Sequence, residues 1–158
     1  MTIEPGSKAP AFTLANHAGD RVSLDKLKGK WVVLYFYPRD DTPGCTVEAC
    51  EFTAAIKQFE KLDATVFGVS PDSPASHTNF REKHNLKVQL LSDPEKTTLT
   101  AYGAWGMKNM YGRQVEGVIR STVIIDPDGN IAHHWKTVRS EGHAKQVRER
   151  LADLHSST

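Results

Sequence analysis

Residues 31–45 read Trp31-Val32-Val33-Leu34-Tyr35-Phe36-Tyr37-Pro38-Arg39-Asp40-Asp41-Thr42-Pro43-Gly44-Cys45. The first seven show no polar–apolar alternation, which predicts a strand buried on both faces, in the middle of a sheet covered by helices. Pro38 ends it. Thr42 suits a helix N-cap, and Pro43 suits the first helical position, where its missing N–H costs nothing. Cys45 then falls at the third helical position, among amides that lack helical partners and carry the positive end of the macrodipole. Both effects favour a thiolate over a thiol.

Working outward, the apolar positions Cys45, Ala49, Phe52, Ile56 and Phe59 recur at three- and four-residue steps and predict one helix over 43–62. Cys45 lies on its inward stripe and Cys50 nearer the edge. Residues 65–70 read as a second buried strand, Asp72-Ser73-Pro74 starts a helix to about 84, residues 88–91 form a short strand, and a short helix runs over 93–102 with Gly103 as its cap. The stretch 103–117, with Trp105 and Tyr111, reads as a loop. Residues 119–125 and 130–136 flank Asp126-Pro127-Asp128-Gly129 as a hairpin, a helix over 140–154 covers the sheet, and 11–14 with 21–24 make a hairpin at the front. The order predicts an α/β protein with a thioredoxin-like fold. Its central mixed sheet would be flanked by helices and carry an N-terminal β-hairpin extension, all within one domain over 1–158. Cys45 would sit at the carboxyl end of a central strand, where open α/β sheets place their chemistry.

Composition narrows the function. Of 158 residues 39% are hydrophobic and 25% charged, as in an ordinary globular domain, and twenty basic against nineteen acidic side chains give a formal charge of +1. Such a chain has no global field for nucleic acid or anionic lipid. The start, Met1-Thr2-Ile3-Glu4-Pro5-Gly6, lacks the pattern of a secretory signal, and no apolar run is long enough to span a bilayer. A cytoplasmic location is expected. Two cysteines in a reducing compartment are more often free, catalytic or metal-bound than a permanent staple.

Cα atoms five positions apart on a regular helix lie roughly 8–9 Å from each other, whereas a disulfide needs roughly 4.4–6.8 Å. Cys45 and Cys50 therefore cannot bond until the first turns unwind. Two inert core thiols remain the plain alternative. A thioredoxin-type C-x-x-C is excluded, since Thr42 occupies the place of its first thiol, and no histidine is identified as the base of a cysteine hydrolase. The histidines at 17, 77, 84, 133, 134, 143 and 155 are scattered, so no metal site is expected, although His77 and His84 could share a helix face.

Pro38-x-x-x-Thr42-x-x-Cys45 resembles the active-site signature of peroxiredoxins, and residues 42–50, Thr-Pro-Gly-Cys-Thr-Val-Glu-Ala-Cys, resemble their bacterioferritin comigratory protein, or PrxQ, subfamily. Further similar stretches lie at 6–14, 68–72, 102–106 and 120–126, so the resemblance covers almost the whole chain. It implies a thiol-dependent peroxidase without cofactor, acting on hydroperoxides. Cys45 would be the peroxidatic nucleophile and Cys50 the resolving cysteine, joined in an intramolecular disulfide that thioredoxin or a glutaredoxin-like reductant reopens. Arg120 would be the active-site arginine on a neighbouring strand, Thr42 a hydrogen-bonding group at the peroxide, and Pro38 a steric shield. Glu48 would orient Arg120, although an exposed helix glutamate is the commoner case. The subfamily implies a monomer. Asp40 and Asp41 oppose a nearby thiolate, so Arg120, with help from Arg39, has to outweigh them.

Overall fold

The computed structural model describes residues 3–157. Its centre is the strand read first, β3 (Trp31–Phe36), every residue of which is buried. β3 pairs in parallel with β4 (Ala64–Ser70), which pairs in parallel with β5 (Gln89–Ser92); on its other edge β3 pairs antiparallel with β8 (Ser121–Ile125), and β8 with β9 (Ile131–Trp135). β1 (Thr13–Asn16) and β2 (Arg21–Ser23) form the N-terminal hairpin and extend the sheet beyond β5, giving seven strands in the order β2-β1-β5-β4-β3-β8-β9. This is the expected thioredoxin-like mixed sheet.

Each face of the sheet has its own core. Trp31, Val33, Tyr35 and Tyr37 point to one side, where they meet α1 (Pro43–Ala54), α2 (Ile56–Lys61), α3 (Pro74–His84) and α5 (His143–Ser156) through Phe52, Phe59, Phe80, Val147 and Leu151. Val32, Leu34 and Phe36 point to the other, against Phe12, Leu24, Tyr102 and Leu99 of the short helix α4 (Thr97–Ala101). Tyr35 lies parallel to Phe52, with ring centroids 4.5 Å apart, which seats α1 on β3. Gly68 of β4 is what admits the Tyr35 ring: a Cβ there would come within 2.6 Å of Tyr35 Cζ and 3.0 Å of Leu90 Cδ2.

Several boundaries differ from the sequence reading. The helix expected over 43–62 breaks at Ala55, whose N–H is shared between the carbonyls of Glu51 and Phe52, and α2 departs along β4. No proline or glycine marks the break, and Phe52 and Phe59 on either side of it are both buried in the core against the sheet. The stretch expected to be a loop is a two-stranded hairpin, β6 (Trp105–Met110) and β7 (Arg113–Val118). Its turn has positive φ at both Tyr111 (54°) and Gly112 (77°), the twist that suits a two-residue hairpin, and a tyrosine is not the residue that announces such a turn. α4 starts at Thr97 rather than near Asp93, because Lys96 takes a left-handed conformation and Asp93 accepts the Leu99 N–H at 2.8 Å. α5 starts at His143, after Gly142 at φ 80°, rather than at 140. The final hairpin is shorter than expected, beginning at Ser121.

Candidate active site

Thr42 is the N-cap of α1 and Pro43 its first residue, as the sequence predicts. The Thr42 hydroxyl does not cap the helix, however; it donates to the Arg39 carbonyl at 2.9 Å, folding residues 39–42 into a tight turn. The first-turn amides are thus left without a side-chain acceptor from their own cap, and the cysteine beside them is the group that profits from their partial charge. Cys45 is 1% exposed, whereas Cys50 is exposed, and both are free thiols. Both lie within the regular helix α1, so the separation that forbids a disulfide in this state stands.

The cation reaches Cys45 from the sheet. Ser121 is the first residue of β8 and pairs with Phe36, the last of β3, so Arg120 projects just past the carboxyl end of the central strand, immediately before β8 rather than within it. Its Nη2 donates to Cys45 Sγ at 3.2 Å and its Nη1 to Glu48 Oε1 at 2.7 Å. One planar guanidinium therefore spans the sulfur and a carboxylate one helical turn further on. The backbone holds the arginine from behind, since its carbonyl accepts the Val138 N–H at 3.0 Å. A Cβ at Gly44 would lie 3.0 Å from Ser140 Oγ and 3.3 Å from Arg120 Nη2, so glycine at this position lets the guanidinium lie close against the helix start.

Glu48 is fully buried rather than an exposed helix glutamate. Burial pushes its carboxyl up to about 7, further than the charge and hydrogen bond of Arg120 pull it down, and Glu51 adds to the rise. Glu48 Oε2 is buried without a hydrogen-bond partner among the described residues, which fits a carboxyl that holds a proton readily. For Arg120, burial acts downward, but the charges of Glu48 and Cys45 and the hydrogen bonds to both outweigh it, so its net direction is up. The guanidinium stays charged.

The two aspartates that threatened the thiolate are already engaged. Asp40 accepts from the Tyr37 hydroxyl at 2.6 Å and from Ser76 Oγ at 2.7 Å, and its Oδ2 lies 2.7 Å from His77 Nδ1. Asp41 accepts from Lys83 Nζ at 2.6 Å and pairs with His84 Nε2 at 2.8 Å; these bonds hold its carboxyl below the ordinary value. Arg39 is exposed, so Arg120 is the cation that the structure brings to the sulfur. Pro38 is half-buried and ends β3.

Asp40, Asp72 and His77 offer ligand atoms within 4.8 Å of one another. Those of Asp40 and His77 are engaged with each other, and Asp72 Oδ2 accepts both the Asp40 N–H and Ser70 Oγ, so protein groups account for the cluster. Of the residues singled out in the sequence, the structure brings Cys45, Arg120 and Glu48 together, while Cys50 is exposed and the Thr42 hydroxyl turns to Arg39; the binding of residues 40–41 to α3 was missed. The seven-residue spacing of His77 and His84, two turns apart on one face, was the available signal for the latter. Hollows lie elsewhere on the described residues: one of about 720 Å³ is lined by Phe12, Leu14, Pro74 and Asp93 among others, and a smaller one of about 330 Å³, lined by Lys30, Ile56, Glu60 and Val66 among others, opens at the opposite end of β3 and β4.

A buried thiol at the head of a helix, bridged by arginine to a glutamate one turn on, on a thioredoxin-like sheet, defines a thiol-redox protein. The chain belongs to the AhpC/TSA family, whose description matches residues 5–134, and to the peroxiredoxins of the Bcp/PrxQ type within it. It is 44% identical over 154 residues to peroxiredoxin Bcp of Bacillus subtilis, covering 98% of each chain. Among solved structures it is similar to the Xanthomonas campestris bacterioferritin comigratory protein, described for its alkyl peroxide reduction activity (TM-score 0.89, 36% identity, 96% of this chain and 99% of that one). It is also similar to a cysteine-to-serine variant of Xylella fastidiosa PrxQ (TM-score 0.91, 34% identity, 98% of each chain).

Proposed function

We propose that this protein is a thiol-dependent peroxidase in which Cys45 is the peroxidatic nucleophile and Cys50 the resolving cysteine, one domain over 1–158 acting as a monomer in the cytoplasm. The observation that carries the reading is the 3.2 Å contact from Arg120 Nη2 to Cys45 Sγ at the first turn of α1. A guanidinium N–H and the open amides of a helix start stabilise negative sulfur, and the same donors suit the oxygen that develops charge as the O–O bond breaks.

In the first step the Cys45 thiolate attacks the distal oxygen of a hydroperoxide. An S–O bond forms, the O–O bond breaks, and the leaving alkoxide or hydroxide takes a proton to become alcohol or water. Sulfur is oxidised by two electrons to the sulfenic acid. Glu48 fixes the guanidinium through its 2.7 Å bond, Thr42 sets the turn that presents Cys45 and offers its hydroxyl oxygen to the peroxide, and Pro38 shields the thiol sterically. In the second step α1 unwinds at its start, the Cys50 thiolate attacks the sulfenic sulfur, the S–O bond breaks as the S–S bond forms, and the hydroxide released takes up a proton to leave as water. A dithiol reductant, thioredoxin or a glutaredoxin-like protein, then returns two electrons by exchange. Resolution inside one chain needs no second subunit. No described helix is long and apolar enough to cross a membrane.

The test is turnover. Reduced protein with thioredoxin, its reductase and NADPH should consume many equivalents of hydrogen peroxide or an alkyl hydroperoxide. One oxidation per chain without cycling would reject the peroxidase reading.

A further inference from the structure

We propose that Asp40 and His77 are positioning residues. With the partners of Asp41 they clamp the loop ahead of α1 onto α3 and so hold the first turn folded around Cys45 until oxidation. This deepens the function proposed above and rests on it for its catalytic consequence, though not for the clamp itself.

The hydrogen bonds fix where the proton lies. His77 Nε2 is 3.0 Å from the Leu91 carbonyl, which can only accept, so Nε2 carries a hydrogen. His77 Nδ1 is 2.7 Å from Asp40 Oδ2, and a second proton must occupy that contact, held by one partner or the other. Both Asp40 oxygens are engaged, Oδ1 by the Tyr37 hydroxyl and Oδ2 also by Ser76 Oγ, and Tyr37 lies 3.4 Å from His77 Nδ1. His77 is 0% exposed and Asp40 8%. A buried pair whose polar atoms are this fully engaged is costly to break from one side, because the partner left behind is an uncompensated buried group.

The main chain is tied at the same point. The Asp40 N–H donates to Asp72 Oδ2 at 2.7 Å, and Asp72 is itself held by Ser70 Oγ at the end of β4. The next residue, Asp41, has φ 60°, a conformation that costs energy for a residue other than glycine and persists where its surroundings enforce it. Lys83 and His84, from the last turn of α3, grip its carboxylate. Two consecutive residues are therefore bound to one helix through Ser76, His77, Lys83 and His84. Among the described residues nothing comparable binds the Thr42 side chain, whose hydroxyl bond stays within the turn. The chain is pinned up to Asp41, while the start of α1 beyond it is held from the sheet by Arg120 through Cys45 and Glu48, so the clamp bears on how readily the first turn opens.

The test compares the reduced wild-type protein with Asp40→Asn and His77→Gln. Backbone hydrogen exchange should quicken on the order of ten-fold in peptides spanning 42–54, the loss expected for a hydrogen bond to a charged group, while peptides spanning 143–156 exchange as in wild type. Single-turnover oxidation by hydrogen peroxide should then show disulfide formation faster by a similar factor, and Cys45 oxidation slower. A merely structural role would quicken exchange in both regions and slow both steps. Asp41→Asn, at an exposed residue, should move exchange in the same direction by less, and it decides the matter should the buried variants not fold. Unchanged exchange over 42–54, or an equal rise over 143–156, overturns the clamp. Exchange needs no peroxide, so a protein inert to peroxide with the expected exchange would reject the proposed function and leave the clamp standing.

Discussion

Replacing Glu48 by glutamine should make this protein more stable at alkaline pH and a poorer catalyst at once. The folded carboxyl holds its proton up to about pH 7, whereas an exposed one releases it near 4.5. Between those values the folded state binds more protons than the unfolded one. The contribution of Glu48 is therefore most favourable below pH 4.5, declines as pH rises, and is fully adverse above 7. At about 1.4 kcal/mol for each pH unit between the two values, the cost is about 3 kcal/mol. Glutamine mimics the protonated form, keeps an oxygen for Arg120 Nη1 and carries no charge into the core. Urea denaturation of the reduced proteins should give equal stabilities at pH 4.5, and an advantage of about 2–3 kcal/mol for Glu48→Gln at pH 8. Residue 48 is the one group that differs between the two proteins, so the difference between the two curves reads its contribution. Peroxide reduction should meanwhile slow, since Arg120 loses the counter-ion that fixes its fork beside the sulfur. A variant no more stable than wild type at pH 8 would refute the reasoning.

Two further substitutions probe the site and its support. Arg120→Lys keeps a cation but cannot bridge Cys45 and Glu48 with one planar group, so the second-order rate of Cys45 oxidation should fall on the order of 10²-fold, the scale for removing a preorganised donor; a rate within two-fold of wild type in stopped-flow fluorescence would take the bidentate bridge out of the mechanism. Gly68→Ala places a methyl within 2.6 Å of Tyr35 Cζ, beneath α1, and overpacking of this kind should cost about 1–3 kcal/mol by chemical denaturation; an unaffected midpoint would mean that Tyr35 can shift freely.

The sheet and the site were legible in the sequence to different depths. The unbroken apolar run of β3, the turn at residues 126–129 and the Thr-Pro start of α1 are local signals, and each lies where the sequence places it. The break at Ala55 carries no local signal: alanine is a helix former, and neither proline nor glycine stands there. The β6–β7 hairpin was missed for the opposite reason, since its strands read as polar and its turn puts Tyr111 where asparagine or aspartate usually stands. At the site, Cys45 and Cys50 declared themselves by helical position, while the approach of Arg120 depends on β8 aligning with β3, a pairing that spacing alone does not fix. The binding of Asp40 and Asp41 to α3 had only the shared face of His77 and His84 as a signal, because their partners lie 36 to 43 residues further along the chain.

The central claim is that Cys45 sulfur reacts first and that Cys50 reaches it only when the start of α1 unwinds. One equivalent of hydrogen peroxide added to reduced protein, followed by peptide mapping and far-UV circular dichroism, tests both halves together. The account predicts an intrachain Cys45–Cys50 disulfide with loss of helical signal, and sulfenic acid on Cys45 with the helix retained in Cys50→Ser. Oxidation landing first on Cys50, or a disulfide formed with the helical signal intact, would contradict it.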